Sequence, residues 1–192
     1  MLIVLVGPTM SGKTTLMNEL VKDERVEKLI THTTRPMRVG EVDGVDYFFH
    51  KTCVNSRNTL ALREYEAINN NNKKEKWSYW INKKDIKRDK TQVVVLDPKG
   101  VEDLQKTIKD IHIVLLNPDP RVIDSRIKHS SRSGENINET NRRLDSDLIE
   151  IALWERRFRL NGDKSPFTML IGDNLQNNKK FVLKEVFGDG RD

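Results

Sequence analysis

The sequence predicts an α/β protein whose core is a parallel sheet covered by helices on both sides. Three observations carry this. Short apolar runs alternate with segments of helical period along most of the chain. A glycine-rich turn follows the first apolar run directly. The stretch from about 31 to 90 breaks the alternation and is expected to be an inserted subdomain. One domain suits 192 residues, which is enough chain to bury a core without staples.

Leu2 to Val6 is a continuous apolar run and predicts a buried parallel strand. From Lys13 the period changes, and Leu16, Met17, Leu20 and Val21 fall on one helical face. Residues 31–50 are polar, with Pro36, Gly40 and Gly44, and predict loops and short strands. Residues 55–68 mix helical and strand signals, and Asn69 to Asn72 predict a loop tip. Residues 93–96 predict a second buried strand, stopped by Asp97-Pro98, with a helix from Val101. Residues 111–116 predict a third strand, stopped by Asn117-Pro118. A helix is expected over 120–128 and a Ser/Gly-rich loop over 129–135. A long helix follows over 138–160, with Leu144, Leu148, Ile151, Ala152 and Phe158 on its apolar face. A strand over 167–171 and a helix over 179–187 close the chain.

Composition narrows the function classes. Lys plus Arg number 34 against 29 Asp plus Glu, a net charge of +5. The lysines are scattered without interleaved aromatics, so solvated faces are a better reading than a nucleic-acid stripe. No apolar run approaches the roughly 20 residues of a membrane helix. The opening run stops at Gly7 without a basic flank or a small-residue cleavage site, so a secretory signal is not expected. Cys53 is the single cysteine, which excludes a disulfide framework and fits a reducing, cytoplasmic interior.

Gly7-Pro8-Thr9-Met10-Ser11-Gly12-Lys13-Thr14 matches G-x-x-x-x-G-K-[ST] between a predicted strand and a predicted helix. Its glycines let successive backbone N–H groups point at phosphate oxygens, and the helix that follows offers its N-terminus to the same anion. Lys13 reaches the β and γ phosphates of a nucleoside triphosphate. The Thr14 hydroxyl is the candidate magnesium ligand, and Thr15 completes the ATP-binding stretch. The expected architecture is therefore a P-loop NTPase three-layer sandwich.

A second cluster lies at 31–47. Arg35 and Arg38, three residues apart, are flanked by hydroxyls and followed by Tyr47. Two guanidinium forks there make a donor set for a phosphate monoester.

With both motifs in order, the chain resembles the guanylate kinase family. Thr31-His32-Thr33-Thr34-Arg35-Pro36-Met37-Arg38-Val39-Gly40-Glu41 through Asp46-Tyr47 is similar to that family's S/T-x-T-T-R-x-x-R-x-G-E-x-x-G-x-D-Y segment. The resemblance continues through Asp97-Pro98-Lys99-Gly100-Val101, Asn117-Pro118 and Asn141-Arg142-Arg143-Leu144, and thins between 50 and 90 and after 155. It implies transfer of a phosphoryl group from ATP, with Mg2+, to a nucleoside monophosphate, GMP or dGMP. It implies that Arg35, Arg38 and Tyr47 hold the acceptor phosphate, with Thr31 assisting and Tyr79 in the same pocket. Asp97 falls on the base and metal-water side. Arg126, Arg132 and Arg143 are the expected lid arginines that close with Lys13 on the transferred group. The implied division is a core of about 1–30, 91–125 and 138–192, an acceptor-binding insert of about 31–90 and a lid of about 126–137.

Three departures bear on the base. The family's base-reading glutamate falls in Arg63-Glu64-Tyr65-Glu66-Ala67. Counting from Tyr47 favours Glu66, whereas Tyr65 and the alternation of Leu62 and Ile68 favour Glu64. The family's Y-G-[ST] element becomes Tyr79-Trp80-Ile81, and Ile81 carries no hydroxyl. Val95 stands where a further Asp is common. Two alternatives to a guanylate kinase therefore stay open: a related kinase for a deoxy or modified base, and a non-catalytic binding module, against which the intact Gly12-Lys13-Thr14 argues. A membrane or nucleic-acid partner is not expected.

Overall fold

The computed structural model describes residues 1–53, 56–68, 74–129, 137–161, 167–170 and 172–188. Five parallel strands form the core sheet: β1 (Leu2–Val6), β2 (Val26–Lys28), β7 (Thr91–Val95), β8 (Ile111–Leu116) and β9 (Phe167–Leu170). Their order is β2-β7-β1-β8-β9, so β1 lies at the centre, with Val4 beside Val94 on one flank and Ile113 on the other. The alternation of β1 divides the core in two. Leu2, Val4 and Val6 pack with Val101, Leu104, Ile151 and Trp154 on one face. Ile3 and Leu5 pack with Leu16, Leu20, Val114 and Val182 on the other. A parallel strand covered on both faces must be apolar throughout, and β1 is.

The helices begin where the sequence supplies caps. In α2 (Pro98–Gln105) the Asp97 carboxylate accepts from Gly100 N at 2.6 Å, and Pro98 occupies the first turn, where a missing N–H costs nothing. Asp119 caps α3 (Pro120–Lys128) in the same way, and Asn174 caps α5 (Leu175–Phe187). The helix expected from Val101 thus starts at Pro98, and the one expected from Lys179 starts at Leu175. α4 spans Ile137–Asn161. Its buried seam is Ile151 and Trp154 with the partly buried Phe158, whereas Leu148, expected there, is exposed. Trp154 stacks on Phe167 at 4.9 Å between ring centroids. Strand β2 was not expected.

A second sheet of four strands, β4-β3-β6-β5, lies within the segment that breaks the alternation. It comprises β3 (His32–Thr33), β4 (Phe48–Phe49), β5 (Thr59–Ile68) and β6 (Lys74–Asn82). The mixed signals of that segment therefore resolve as a strand over Thr59–Ile68. β5 and β6 pair antiparallel, with the register shifting between Leu60 and Arg63, where Ala61 takes a left-handed φ of 49°. Beyond that bulge Arg63 faces Tyr79 and Glu64 faces Ser78. Leu60, Ala61 and Ile81 join the core beside Val101 and Leu104, which seats this sheet on α2.

Candidate functional site

The loop after β1 wraps back on itself before α1 (Lys13–Leu20). Gly7 has φ 154°, and a Cβ there would stand 2.5 Å from the Leu116 carbonyl oxygen, so only glycine fits. Gly12 is left-handed and heads α1. The Lys13 ammonium folds over the loop and donates to the Gly7 and Pro8 carbonyls, each at 2.7 Å. Ser11 is buried, whereas Thr14 and Thr15 are exposed at the start of α1. Two distant residues hold the loop from outside. Asp147 of α4 accepts from both the N–H and the hydroxyl of Thr9, each at 2.7 Å. Arg126 of α3 donates to the Met10 carbonyl at 2.8 Å and pairs with Asp173.

A cavity of about 590 Å³ opens beside this loop. Its walls include Met10, Gly12, Pro118, Arg126, Asp173 and Asn178, and its size is that of a small-molecule site. Arg126, expected in the lid, thus forms part of a cavity wall. Arg143 donates to Glu139 one turn back on α4 at 2.9 Å. Arg132 lies outside the described residues.

The second sheet has two faces with different chemistry. On one, the Tyr79 ring lies 6.0 Å from Tyr47 and 5.7 Å from Tyr65, edge to face. Arg35, only 4% exposed, sits 5.4 Å from the Tyr47 ring centre and 5.7 Å from that of Phe49. Its guanidinium donates to Glu41 at 2.7 Å and to the Pro36 carbonyl at 2.8 Å. Glu41 also accepts from the Arg38 backbone amide at 2.8 Å, so one carboxylate holds the Arg35 guanidinium and the Arg38 backbone. Burial opposes ionisation of Glu41, but the Arg35 bond and the Arg38 amide outweigh it and hold its carboxyl below the ordinary range. Burial and the neighbouring Tyr79 push the Tyr47 phenol up, so it stays a hydrogen-bond donor at neutral pH. Thr31 is half-buried at the entry to β3, and its carbonyl accepts from Phe48 N.

Tyr65 and Arg63 extend this face to the core. Arg63 Nε donates to Asp97 at 2.6 Å and its Nη2 to Glu150 at 3.3 Å, and the Tyr65 hydroxyl donates to Asp97. Burial disfavours the charge on Arg63, yet the bond to Asp97 raises its pKa. Burial, then the Asp97 charge, raises that of Glu150. Asp97 lies two residues past the end of β7, which neighbours β1 in the sheet. The cluster therefore lies at the same carboxyl edge as the Lys13 loop, where open parallel sheets place their ligands.

Glu64 and Glu66 point the other way. Glu64 lies 3.4 Å from the Ser78 hydroxyl and 2.7 Å from Lys76 Nζ. It lines a second, open cavity of about 490 Å³ with Thr34, Cys53, Trp77 and Ser78. Glu66 is exposed, and its carbonyl accepts from Arg142 at 3.1 Å. The structure brings Arg35, Tyr47, Tyr79 and Asp97 to one side of the inserted sheet and neither glutamate with them. Arg63, Tyr65, Glu41 and Asp147 were not foreseen. For Glu41 a signal existed, its place three residues after Arg38.

A backbone nest closed by a lysine between a central parallel strand and a helix serves a phosphoryl group, and this chain is accordingly a P-loop phosphotransferase in its class. Comparison with known proteins narrows the class: the family model described as guanylate kinase matches residues 1–158, and the chain belongs to that family, the nucleoside monophosphate kinases. Its relatives include a guanylate kinase of Chlamydia caviae, 28% identical over 97% of this chain and 86% of that protein. One of Rickettsia prowazekii is 30% identical over 79% of this chain and 77% of its own. The crystal structure of a guanylate kinase from Anaplasma phagocytophilum superposes with a TM-score of 0.59 at 16% identity. It covers the whole of this chain and 86% of that one, and at this identity the likeness shows the fold.

Proposed function

We infer that this chain transfers the γ-phosphoryl group of ATP to GMP, giving ADP and GDP. The observation that carries the reading is the buried Arg35 guanidinium, fixed by Glu41 among Tyr47, Phe49 and Tyr79 on the insert of a chain that also holds a Lys13 cradle. The cradle residues from Gly7 to Thr15 take the ATP phosphates, and the cavity walled by Arg126 and Asn178 takes the adenosine. Arg35, Arg38, Tyr47 and Tyr79 take the phosphate of GMP or dGMP, with Thr31 beside them. Arg126, Arg132 and Arg143 supply further positive charge around the reacting groups. Such a reaction needs positioning and charge neutralisation more than covalent help.

Mg2+ fits this arrangement as an ion carried in on the triphosphate. The chain offers the exposed Thr14 hydroxyl, while Asp97 is already engaged by Gly100 N, Arg63 and Tyr65. Among the described residues no three His, Cys, Asp or Glu side chains group to hold a metal, and magnesium commonly keeps phosphate and water ligands. When bound, the ion would neutralise charge on the phosphate oxygens.

The two faces of the inserted sheet bear on the base. A nucleotide held at Tyr79 meets Asp97 and Arg63 rather than Glu64. We propose that Asp97 Oδ1, through the acceptor position left beside Gly100 N, accepts from the ring N–H and amino edge of guanine, and that Arg63 Nη1 donates to O6, an arginine–guanine contact known in other settings. The proposed division is the core, the insert of about 31–90 and the lid of about 126–137. No helix among the described residues is long and apolar enough to cross a membrane. A cytoplasmic setting is proposed on the single Cys53. The test is chromatography of a reaction with ATP, Mg2+ and GMP. ADP and GDP should form in equal amounts, and ADP formed without GMP would contradict the transfer.

A further inference from the structure

The outward side of α4 carries an apolar stripe that the chain leaves uncovered. Leu148, Ile149 and Leu153 are 44%, 62% and 55% exposed, Ala152 is exposed between them, and Leu160, further along, is 71% exposed. Residues three and four apart share one side of a helix. The opposite side is committed to this chain: Asp147 holds Thr9, Glu150 accepts from Arg63, and Ile151 and Trp154 pack in the core. Lone exposed apolar residues are ordinary on a protein surface, whereas a contiguous patch marks an interaction surface.

The charges at its ends identify the occupant. Asp145 stands one turn before Ile149 and Arg156 one turn after Ala152, both exposed. The ion pairs of α4 are made by Glu139, Arg142, Arg143, Glu150 and Arg157, and neither Asp145 nor Arg156 has a partner among the described residues. The series Asp145, Leu148, Ile149, Ala152, Leu153, Arg156 has spacings of 3, 1, 3, 1 and 3, the same from either end, with an acid at one end and a base at the other. A surface symmetric in spacing and opposite in charge is complementary to itself turned end over end, which is what a two-fold interface requires.

We propose that this stripe is the interface of a two-fold dimer, in which α4 packs antiparallel on α4 of a second copy of this chain. Ile149 of each copy then meets Ala152 of the other, whose small side chain lets the helices approach closely. Asp145 of each copy meets Arg156 of the other. A parallel pair would set Asp145 against Asp145 and Arg156 against Arg156, so like charges oppose it. The stripe runs about 16 Å along the helix, less than the interfaces of permanent dimers occupy, so the association is reversible.

The experiment is sedimentation equilibrium of the full chain from about 5 to 500 µM, a range around micromolar affinity. It compares the wild type with Ile149→Glu, Asp145→Arg, Arg156→Asp and the double variant Asp145→Arg with Arg156→Asp, each shown folded by circular dichroism. The wild type should pass from monomer to dimer as concentration rises. Ile149→Glu should weaken the dimer by about 10-fold or more, because it buries a carboxylate against an apolar surface. Each single reversal opposes like charges twice per dimer and should weaken it by about 5- to 50-fold. The double variant restores both acid–base contacts and should dimerise like the wild type. An equimolar mixture of the two single variants should form a heterodimer, since every contact there again joins opposite charges. A wild type that stays monomeric throughout overturns the proposal. So does a dimer that Ile149→Glu leaves intact, which would lie on another surface, or a double variant no better than the singles, which would show that the two charges do not meet.

Discussion

Arg63 Nε donates to Asp97 at 2.6 Å, and this contact ties β5 of the inserted sheet to the cap of α2 in the core. Asp97 thus has two roles, ending a core strand and anchoring the tyrosine face of the insert. Arg63→Met keeps much of the side-chain bulk but leaves Asp97 and Glu150 without their cation. Both carboxylates are mostly shielded, so a stability loss of about 1–3 kcal/mol is expected by urea unfolding. The KM for GMP should rise more than that for ATP. Glu64→Gln should change neither by much. A Glu64→Gln variant that loses GMP activity while Arg63→Met keeps it would place the base on the opposite face of the sheet.

The Arg35 guanidinium reaches Glu41 and the Pro36 carbonyl at once from its buried seat beside Tyr47 and Phe49. A lysine ammonium preserves the charge but not the planar fork. Arg35→Lys should raise the KM for GMP by about 10-fold or more and lower kcat, the scale of losing one charge-assisted hydrogen bond. The KM for ATP should move little. Equal changes for both substrates in steady-state kinetics would contradict the clamp.

Glu41 makes the clamp sensitive to acid. Its folded-state pKa lies below the ordinary value of 4.5, because the Arg35 bond and the Arg38 amide outweigh burial. A lowered carboxylate pKa contributes stability that is complete above the ordinary value and is lost as pH falls through the folded-state value. Thermal melts of the wild type should therefore decline below about pH 4.5 more steeply than those of Glu41→Gln. Parallel declines would show that the Glu41–Arg35 pair contributes nothing to the acid limb.

Much of the core was legible because its signals are local. β1 is an unbroken apolar run and β8 is one apart from His112, Asp97-Pro98 and Asn117-Pro118 mark the strand ends, and the cradle motif stands where strand turns to helix. β2 is three residues, Val26-Glu27-Lys28, with one fully buried side chain, too short to carry a period. β5 misleads because neither of its faces is plainly apolar beyond the bulge: one bears Arg63 and Tyr65 and the other Glu64 and Glu66. The bulge at Ala61 decides which parity meets Tyr79, and counting along the sequence does not register it. On α4 the seam follows Trp154, which the helical pattern drawn through Leu148 and Ala152 passed over. The Asp147–Thr9 contact leaves no trace in local sequence, since its partners meet only through the fold.

Acceptor choice tests the guanylate kinase reading most directly. The measurement is a coupled assay of ADP release with ATP, Mg2+ and each common nucleoside monophosphate in turn, ribo and deoxy. A face that pairs Asp97 with Arg63 favours a base with a ring N–H, an amino group and a carbonyl on its edge, and a buried mismatch typically costs about 1–3 kcal/mol, or roughly 5- to 150-fold. GMP and dGMP should therefore give the highest kcat/KM of the panel. An adenine or pyrimidine monophosphate phosphorylated at least as well as GMP would contradict it.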